Sequence, residues 1–235
     1  MISLIRYNLS ILLLFAVTYV QAQQPDPQQI LDEVRAQFEK IRDYEAEITI
    51  KVDVDFVKIP VKNGKAWFVQ PDKVKVKTDG FSLLPKKGMN FSPNQILTGN
   101  YTAIFSGEQK IGEHDTWVIK VVPADDTGDI LLSKIWVDKK RKVIRKMESA
   151  TRSQGTFEMQ FEFPATPAAF DLPEQIVFRF DLRKNEIPLG LTGDFNNQDP
   201  GKTKGTKNTR GTVTIRYLKY TVNKGLGLVA FKQKS

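Results

Sequence analysis

The chain has 235 residues, 40% of them hydrophobic and 26% charged, a composition that suits a globular protein of one large all-β domain or two small ones. It holds no cysteine, which excludes disulfide staples and an acylated lipoprotein N-terminus and leaves the hydrophobic core to hold the fold. The formal charge of +8 suits attraction to anionic membrane surfaces and equally a soluble surface that happens to be basic, and nucleic acid is not expected as a partner.

The first segment reads as a leader. Met1–Ser10 carries Arg6 and no acidic residue, Ile11–Val20 is apolar apart from Thr18 and Tyr19, and Val20-Gln21-Ala22 has the small-residue spacing of a cleavage site. The apolar run is shorter than the roughly 20 residues that span a bilayer. We therefore expect a signal peptide over residues 1–22, cleaved after Ala22, and a single β domain over residues 23–235. An uncleaved anchor is the alternative.

One helix follows. Asp26 is placed to cap it, Pro27 suits the first helical position, and Gln29 completes a D-x-x-Q capping pattern. Leu31, Val34, Phe38 and Ile41 recur at helical spacing, with Ile30 widening the stripe. After Tyr44 the period falls to two: Ala46, Ile48, Ile50, Val52, Val54 and Phe56 alternate with polar residues. The parity slips at Val57, which suggests a bulge, and Asn63-Gly64 reads as a tight turn. Lys65–Gln70 is a second strand, Pro71-Asp72 a turn, and Val74, Val76 and Thr78 continue the alternation.

Further strands are expected at Tyr101–Ser106, Thr116–Val122, Ser133–Asp138 and Lys142–Ala150, the last two joined across Asp138-Lys139-Lys140-Arg141. In Thr156–Phe163 the residues Phe157, Met159, Phe161 and Phe163 share one face. Ile176, Phe178, Phe180 and Leu182 repeat the pattern, and Thr212–Val222 supplies a final strand or strand pair. The series predicts a mainly β protein with one antiparallel sheet, one face wet and the other apolar. Gly80–Gly99 breaks the rhythm: it is apolar without alternating and reads as a loop with short helical turns. Asn185–Gly211, rich in Gly, Asn, Thr and Lys, reads as a hairpin loop.

The search for chemistry returns no catalytic residue, metal site or cofactor. His114 is the single histidine and reads as an exposed turn residue, which excludes multi-histidine metal sites. No G-x-S-x-G, P-loop or dinucleotide fingerprint occurs. The acidic residues at 47, 53, 55, 158 and 162 fall on the polar strand faces, as solvated charges do.

One helix and one apolar loop are little cover for a sheet of nine or more strands. A curved sheet would then leave an apolar trough, and the Phe and Met enrichment suits an irregular pocket. A fully packed core stays equally open on composition alone. Candidate residues on or near such a pocket are Trp67, Phe81, Leu84, Met89, Phe91, Phe157, Met159, Phe161, Phe178 and Phe180, although parity does not say which strand face looks inward.

Three stretches resemble a known family. Gly112-x-x-x-Thr116-Trp117-Val118-Ile119-x-Val121-x-Pro123 is similar to the strand of periplasmic lipoprotein carriers of the LolA-like family that ends in a Pro-containing turn. Ile135-Trp136-Val137-Asp138-Lys139-Lys140 with Ile144-Arg145-Lys146-Met147-Glu148 resembles the hairpin after it, and Tyr217-x-x-Tyr220-x-Val222-Asn223-x-Gly225-Leu226 the closing strand. The resemblance implies an unclosed β-barrel with the N-terminal helix and the Gly80–Gly99 segment as a lid over an apolar cavity. It also implies a periplasmic monomer that shelters acyl chains of lipoproteins or other lipids between membrane release and acceptor complexes. Relatives with this fold instead bind glycolipids or sense stray lipoproteins and envelope damage, so the alternative is an envelope-stress sensor or protein-interaction module of the same fold with no lipid cargo. Where the family often carries a basic residue before the proline of the second turn, helping to set the closed state, this chain has Gln70.

Overall fold

The computed structural model describes residues 24–54, 57–58, 60–78, 97, 99–125, 128–152, 155–182 and 209–232. Helix α1 (Pro27–Glu39) starts at its sequence signals: Asp26 stays extended and accepts the Gln28 amide at 2.9 Å, and Pro27 opens the first turn. Ile30, Leu31 and Val34 bury its apolar face, and Ile41, just past its end, is buried as well. Each such side chain contributes about 1.5–3 kcal/mol when removed from water.

Eleven strands follow: β1 (Asp43–Val54), β2 (Val57–Lys58), β3 (Lys62–Val69), β4 (Lys73–Thr78), β5 (Tyr101–Ile111), β6 (His114–Pro123), β7 (Ile130–Asp138), β8 (Ile144–Thr151), β9 (Thr156–Glu162), β10 (Gln175–Leu182) and β11 (Thr209–Val222). A short helix α2 (Leu226–Lys232), which the periodicity did not predict, ends the described chain. All pairings are antiparallel, in the order β4-β3-β1-β11-β10-β9-β8-β7-β6-β5, with β2 also on β1. The path ends at β4 and β5, so the sheet is unclosed. Residues 79–100 connect one edge to the other, and β11 lies between β1 and β10, joining the two ends of the chain in the middle of the sheet.

Two sequence expectations change in the structure. The parity slip at Val57 is a reversal of the chain, not a bulge: Val54 pairs with Val57 and Asp53 with Lys58. Asn63-Gly64 is not a turn but lies inside β3, opposite Thr49 and Ile48. Gly64 is needed for closeness, because a Cβ there would run into the Lys77 carbonyl of β4. True bulges occur elsewhere. In β11 the register passes from Lys219 to Tyr217, leaving Leu218 as the extra residue, 63% exposed.

The inner face holds the core. Leu31 and Val34 pack on Ile119, Ile135, Met147 and Met159, while Ala46, Ile48, Ile50 and Val213 form an adjoining cluster. On the outer face Glu148 and Glu158 stand directly opposite each other, and Lys146 bridges them at 2.7 and 2.8 Å. His114 opens β6 with its Nδ1 3.4 Å from Asp138.

Asp138 organises the β7–β8 hairpin. Its Oδ1 accepts the Lys140 and Arg141 amides at 2.8 and 3.0 Å, and its Oδ2 accepts from the Arg145 guanidinium at 2.9 and 2.8 Å. Both side chains of this ion pair are about 5% exposed or less. Burial pushes the Asp138 carboxyl up, but the Arg141 amide, Arg145 and the Lys140 amide outweigh it and hold it below the ordinary value. A depressed carboxyl contributes stability at neutral pH that declines as pH falls below its unperturbed 3.8. Asp138→Ala is expected to lose about 3–5 kcal/mol in urea unfolding at pH 7 by stranding Arg145. A loss under 1 kcal/mol would show that the hairpin does not depend on this carboxylate.

Polar contacts fasten α1 at its C-terminal end and along its length. The Gln70 side-chain amide donates to the Phe38 and Glu39 carbonyls at 3.2 and 3.1 Å, satisfying carbonyls the helix end leaves free. Arg35 donates to the Leu97 carbonyl and the Tyr101 hydroxyl at 2.7 and 2.9 Å, and Glu33 pairs with Lys142 at 2.9 Å. Gln70→Ala should weaken the last turn of α1 by about 1–2 kcal/mol. Amide exchange at Gln37–Glu39 should rise while β8–β10 keep their protection; unchanged exchange there contradicts the capping role.

Candidate functional site

Beneath α1 the inner face does not close completely. A cavity of about 130 Å³ remains, bounded by Val34 and Phe38 of α1, Tyr44 and Ile48 of β1, Ala66 and Phe68 of β3, and Val74 and Val76 of β4. The far wall is Met159 and Phe161 of β9, Ile176 and Phe178 of β10, and Val213, Ile215, Tyr217 and Tyr220 of β11. Lys142, Val143 and Ile144 after the β7–β8 turn, and Asp171, Leu172 and Pro173 before β10, complete the rim. Apart from the tyrosine hydroxyls, the polar side chains of the lining are Gln37, Lys142 and Asp171. Asp171 is already paired with Arg141 at 2.6 Å and Lys142 with Glu33.

One wall is a stack of rings. Tyr44 lies on Phe68 with centroids 5.3 Å apart and meets Tyr220 edge-on at 5.3 Å; Tyr217 stacks on Tyr220 at 5.0 Å. The Tyr220 hydroxyl donates to the Pro173 carbonyl at 2.8 Å. Burial pushes the Tyr217 phenol up to about 12 and lifts Tyr44 and Tyr220 well above the ordinary 10.0. All three are therefore neutral hydrogen-bonding groups at any physiological pH.

Of the residues singled out from sequence, Met159, Phe161 and Phe178 line the cavity. Phe157 and Phe180 share their face, directly opposite each other, but line a neighbouring depression with Glu158 and Arg179. Trp67 is on the other side of the sheet, where its indole N–H donates to Glu45 at 2.7 Å, while its neighbours Ala66 and Phe68 face the cavity. Phe81, Leu84, Met89 and Phe91 lie outside the described residues.

Sequence reasoning missed the aromatic wall of Tyr44, Phe68, Tyr217 and Tyr220. In a regular strand, residues three apart face opposite sides, so Tyr217 and Tyr220 look like one inward and one outward residue. The extra residue Leu218 turns both inward. No local signal marks that bulge; the alternation in β1 together with its register to β11 would have been required.

Among the described residues no His, Cys, Asp or Glu cluster could hold a metal ion, and no helix is long and apolar enough to cross a membrane. The arrangement offers apolar shelter with neutral hydroxyls.

No protein-family model and no curated protein matches the sequence. Solved structures do match the fold. A domain designated an outer membrane lipoprotein-sorting protein, from Vibrio parahaemolyticus, has a TM-score of 0.53 at 11% identity over 85% of this chain and 93% of its own. A DUF1329 family protein from Desulfovibrio piger has a TM-score of 0.53 at 12% identity, over 86% of this chain and 95% of its own. A LolA superfamily protein from Nitrosomonas europaea scores 0.49 at 11% identity, over 86% and 95%. At these identities the likeness is one of architecture: this chain shares the fold of the Vibrio lipoprotein-sorting domain and of the Desulfovibrio DUF1329 protein.

Proposed function

We propose that this chain is a non-enzymatic lipid carrier of the bacterial envelope that holds part of an acyl chain in the cavity beneath α1. The observation that carries this reading is the cavity itself: side chains that could have meshed leave an apolar, aromatic-walled space on the covered face of the sheet. Each methylene exposed to water costs about 0.8 kcal/mol, so a lipid-modified molecule crosses an aqueous compartment only with shelter of this kind. The LolA-like fold and the leader-like residues 1–22 support placement in the periplasm. In this reading residues 23–235 are the exported monomer, and release and acceptor complexes at the two membranes are its partners.

The volume sets the mode of binding. About 130 Å³ compares with the ~150 Å³ engineered cavity that admits benzene, so the closed form holds a ring or a short run of methylenes. A longer chain enters as α1 moves, and the polar fastenings of Gln70, Arg35 and Glu33 are what such a movement would break.

A second reading, a protein-interaction module, draws on β5. This edge strand carries no charge from Tyr101 to Gly107, and Ile104 on it, Val122 on the adjacent β6 and Leu131 and Leu132 on β7 are exposed.

Two measurements separate these readings. Native mass spectrometry of the exported protein should show lipid adducts, and a fluorescent sixteen-carbon acyl probe should bind. Val76→Phe, which fills the cavity from the β4 edge, should weaken the probe at least tenfold without lowering the urea midpoint. A bare mass with no probe binding would overturn the carrier and leave the edge-strand module.

A further inference from the structure

Half of the formal charge of the chain is gathered at one edge of the sheet. Between Lys62 and Thr78, over β3 and β4, five lysines stand against one acidic residue, Asp72, a net +4 of the +8. β4 is the last strand in the order, and its side chains alternate cleanly between the two faces. Val74 and Val76 line the cavity, while Lys73, Lys75 and Lys77 are exposed. Lys65 pairs with Glu45 at 2.9 Å, but Lys73 and Lys77 have no partner among the described residues. Lys75 donates to the Ala230 carbonyl of α2 at 2.6 Å, which sets this helix on the outer face beside the lysines. Leu226 and Val229, three positions apart and so on one side of α2, are 37% and 54% exposed there.

Lysines on an edge strand guard it against pairing with other chains. That guard does not account for this surface. β5, the other edge, carries no charge from Tyr101 to Gly107, and edge protection calls for no exposed leucine and valine beside the lysines. Cations and apolar side chains on one surface match a bilayer interface, where apolar groups enter the headgroup boundary and lysines meet anionic headgroups. We propose that β4 and α2 form a docking surface for a membrane rich in anionic phospholipid, with Lys73, Lys75 and Lys77 on the headgroups and Leu226 and Val229 in the interface. The inference goes beyond the carrier reading by fixing which edge of the sheet meets the membrane. Docked in this way, β4 alone stands between the bilayer and the cavity wall of Val74 and Val76, so a guest passes around one strand edge instead of through water.

The test uses the full mature chain, vesicles of equal parts phosphatidylethanolamine and phosphatidylglycerol, and vesicles of phosphatidylcholine alone. Co-sedimentation should show tighter binding to the anionic vesicles, weakening as salt rises. Each lysine near an anionic surface contributes roughly fivefold in affinity, so Lys73→Gln combined with Lys77→Gln should weaken binding to the anionic vesicles about twenty-five-fold. Lys110→Gln combined with Lys120→Gln removes the same charge from β5 and β6 and should weaken it far less. Leu226→Ser combined with Val229→Ser should weaken vesicle binding roughly fivefold and leave binding of a soluble polyanion, dextran sulfate, unchanged.

Anionic vesicles bound no more tightly than phosphatidylcholine overturn the docking surface. An equal loss on substituting Lys110 and Lys120 does the same, since net charge and not its place would then be the cause. Vesicle binding indifferent to Leu226 and Val229 assigns the lysines to a soluble acidic partner and overturns the membrane. If the serine substitutions lower the urea midpoint, the glutamine substitutions decide alone, because they change exposed side chains only. The fluorescent acyl probe keeps the two proposals apart. It should bind every variant as it binds the native chain; its failure with vesicle binding intact removes the carrier and leaves the docking surface.

Discussion

A single sheet with one apolar face must be covered, and among the described residues α1 is the helix that covers it. The two sheet edges, β4 and β5, lie at opposite ends of the strand order, so the sheet cannot bury that face by closing on itself. Thirteen helical residues present Ile30, Leu31, Val34 and Phe38 to β6–β9, in a cluster larger than the one around Ala46, Ile48 and Val213. Beyond the helix, toward β1, β3, β4 and β11, cover thins and the aromatic cavity begins. The cavity is thus a consequence of having more sheet than helix, and its location follows from where α1 ends.

The end of α1 is therefore the mechanically sensitive place. Gln70 caps it through two carbonyls, and Gln70 belongs to the β3–β4 turn, which also carries the cavity wall of Phe68 and Val74. This neutral amide holds the helix end by hydrogen bonding to its free carbonyls, without charge. Its hold is correspondingly weaker, since hydrogen bonds from charged groups contribute about twice as much as neutral ones. Asn223 reinforces the neighbouring joint: its side chain accepts the Arg42 amide at 2.8 Å and donates to the Lys40 carbonyl at 2.8 Å, tying the closing strand to the chain that leaves the helix.

Much of this was legible in the residues. The helix start at Asp26-Pro27, the alternation of β9 and β10 and the β7–β8 hairpin follow from local rules that tertiary packing did not override. What failed were the readings that depend on a neighbouring strand. Asn63-Gly64 has turn chemistry, yet Gly64 serves a close backbone approach of β4. The parity slip at Val57 has the same sequence appearance whether the strand bulges or reverses. Trp67 is large and aromatic like a cavity residue, but its indole N–H found Glu45 on the wet face. Met159, Phe161 and Phe178 were recognisable because two adjacent strands carry the same apolar alternation; Tyr217 and Tyr220 were hidden by one bulged residue.

The energetics of leaving such a space decide how it should be read. An unfilled apolar cavity destabilises by about 24 cal/mol per Å³, so 130 Å³ amounts to about 3 kcal/mol. Set against a typical net stability of 5–15 kcal/mol, that is a large fraction to forgo. Larger side chains at Ala66, Val74, Val76 or Val213, all on the wall, would recover it. A ring stack that holds the wall open is poor packing for an empty domain, and a guest in the space, as the carrier proposal has it, would restore the lost contacts.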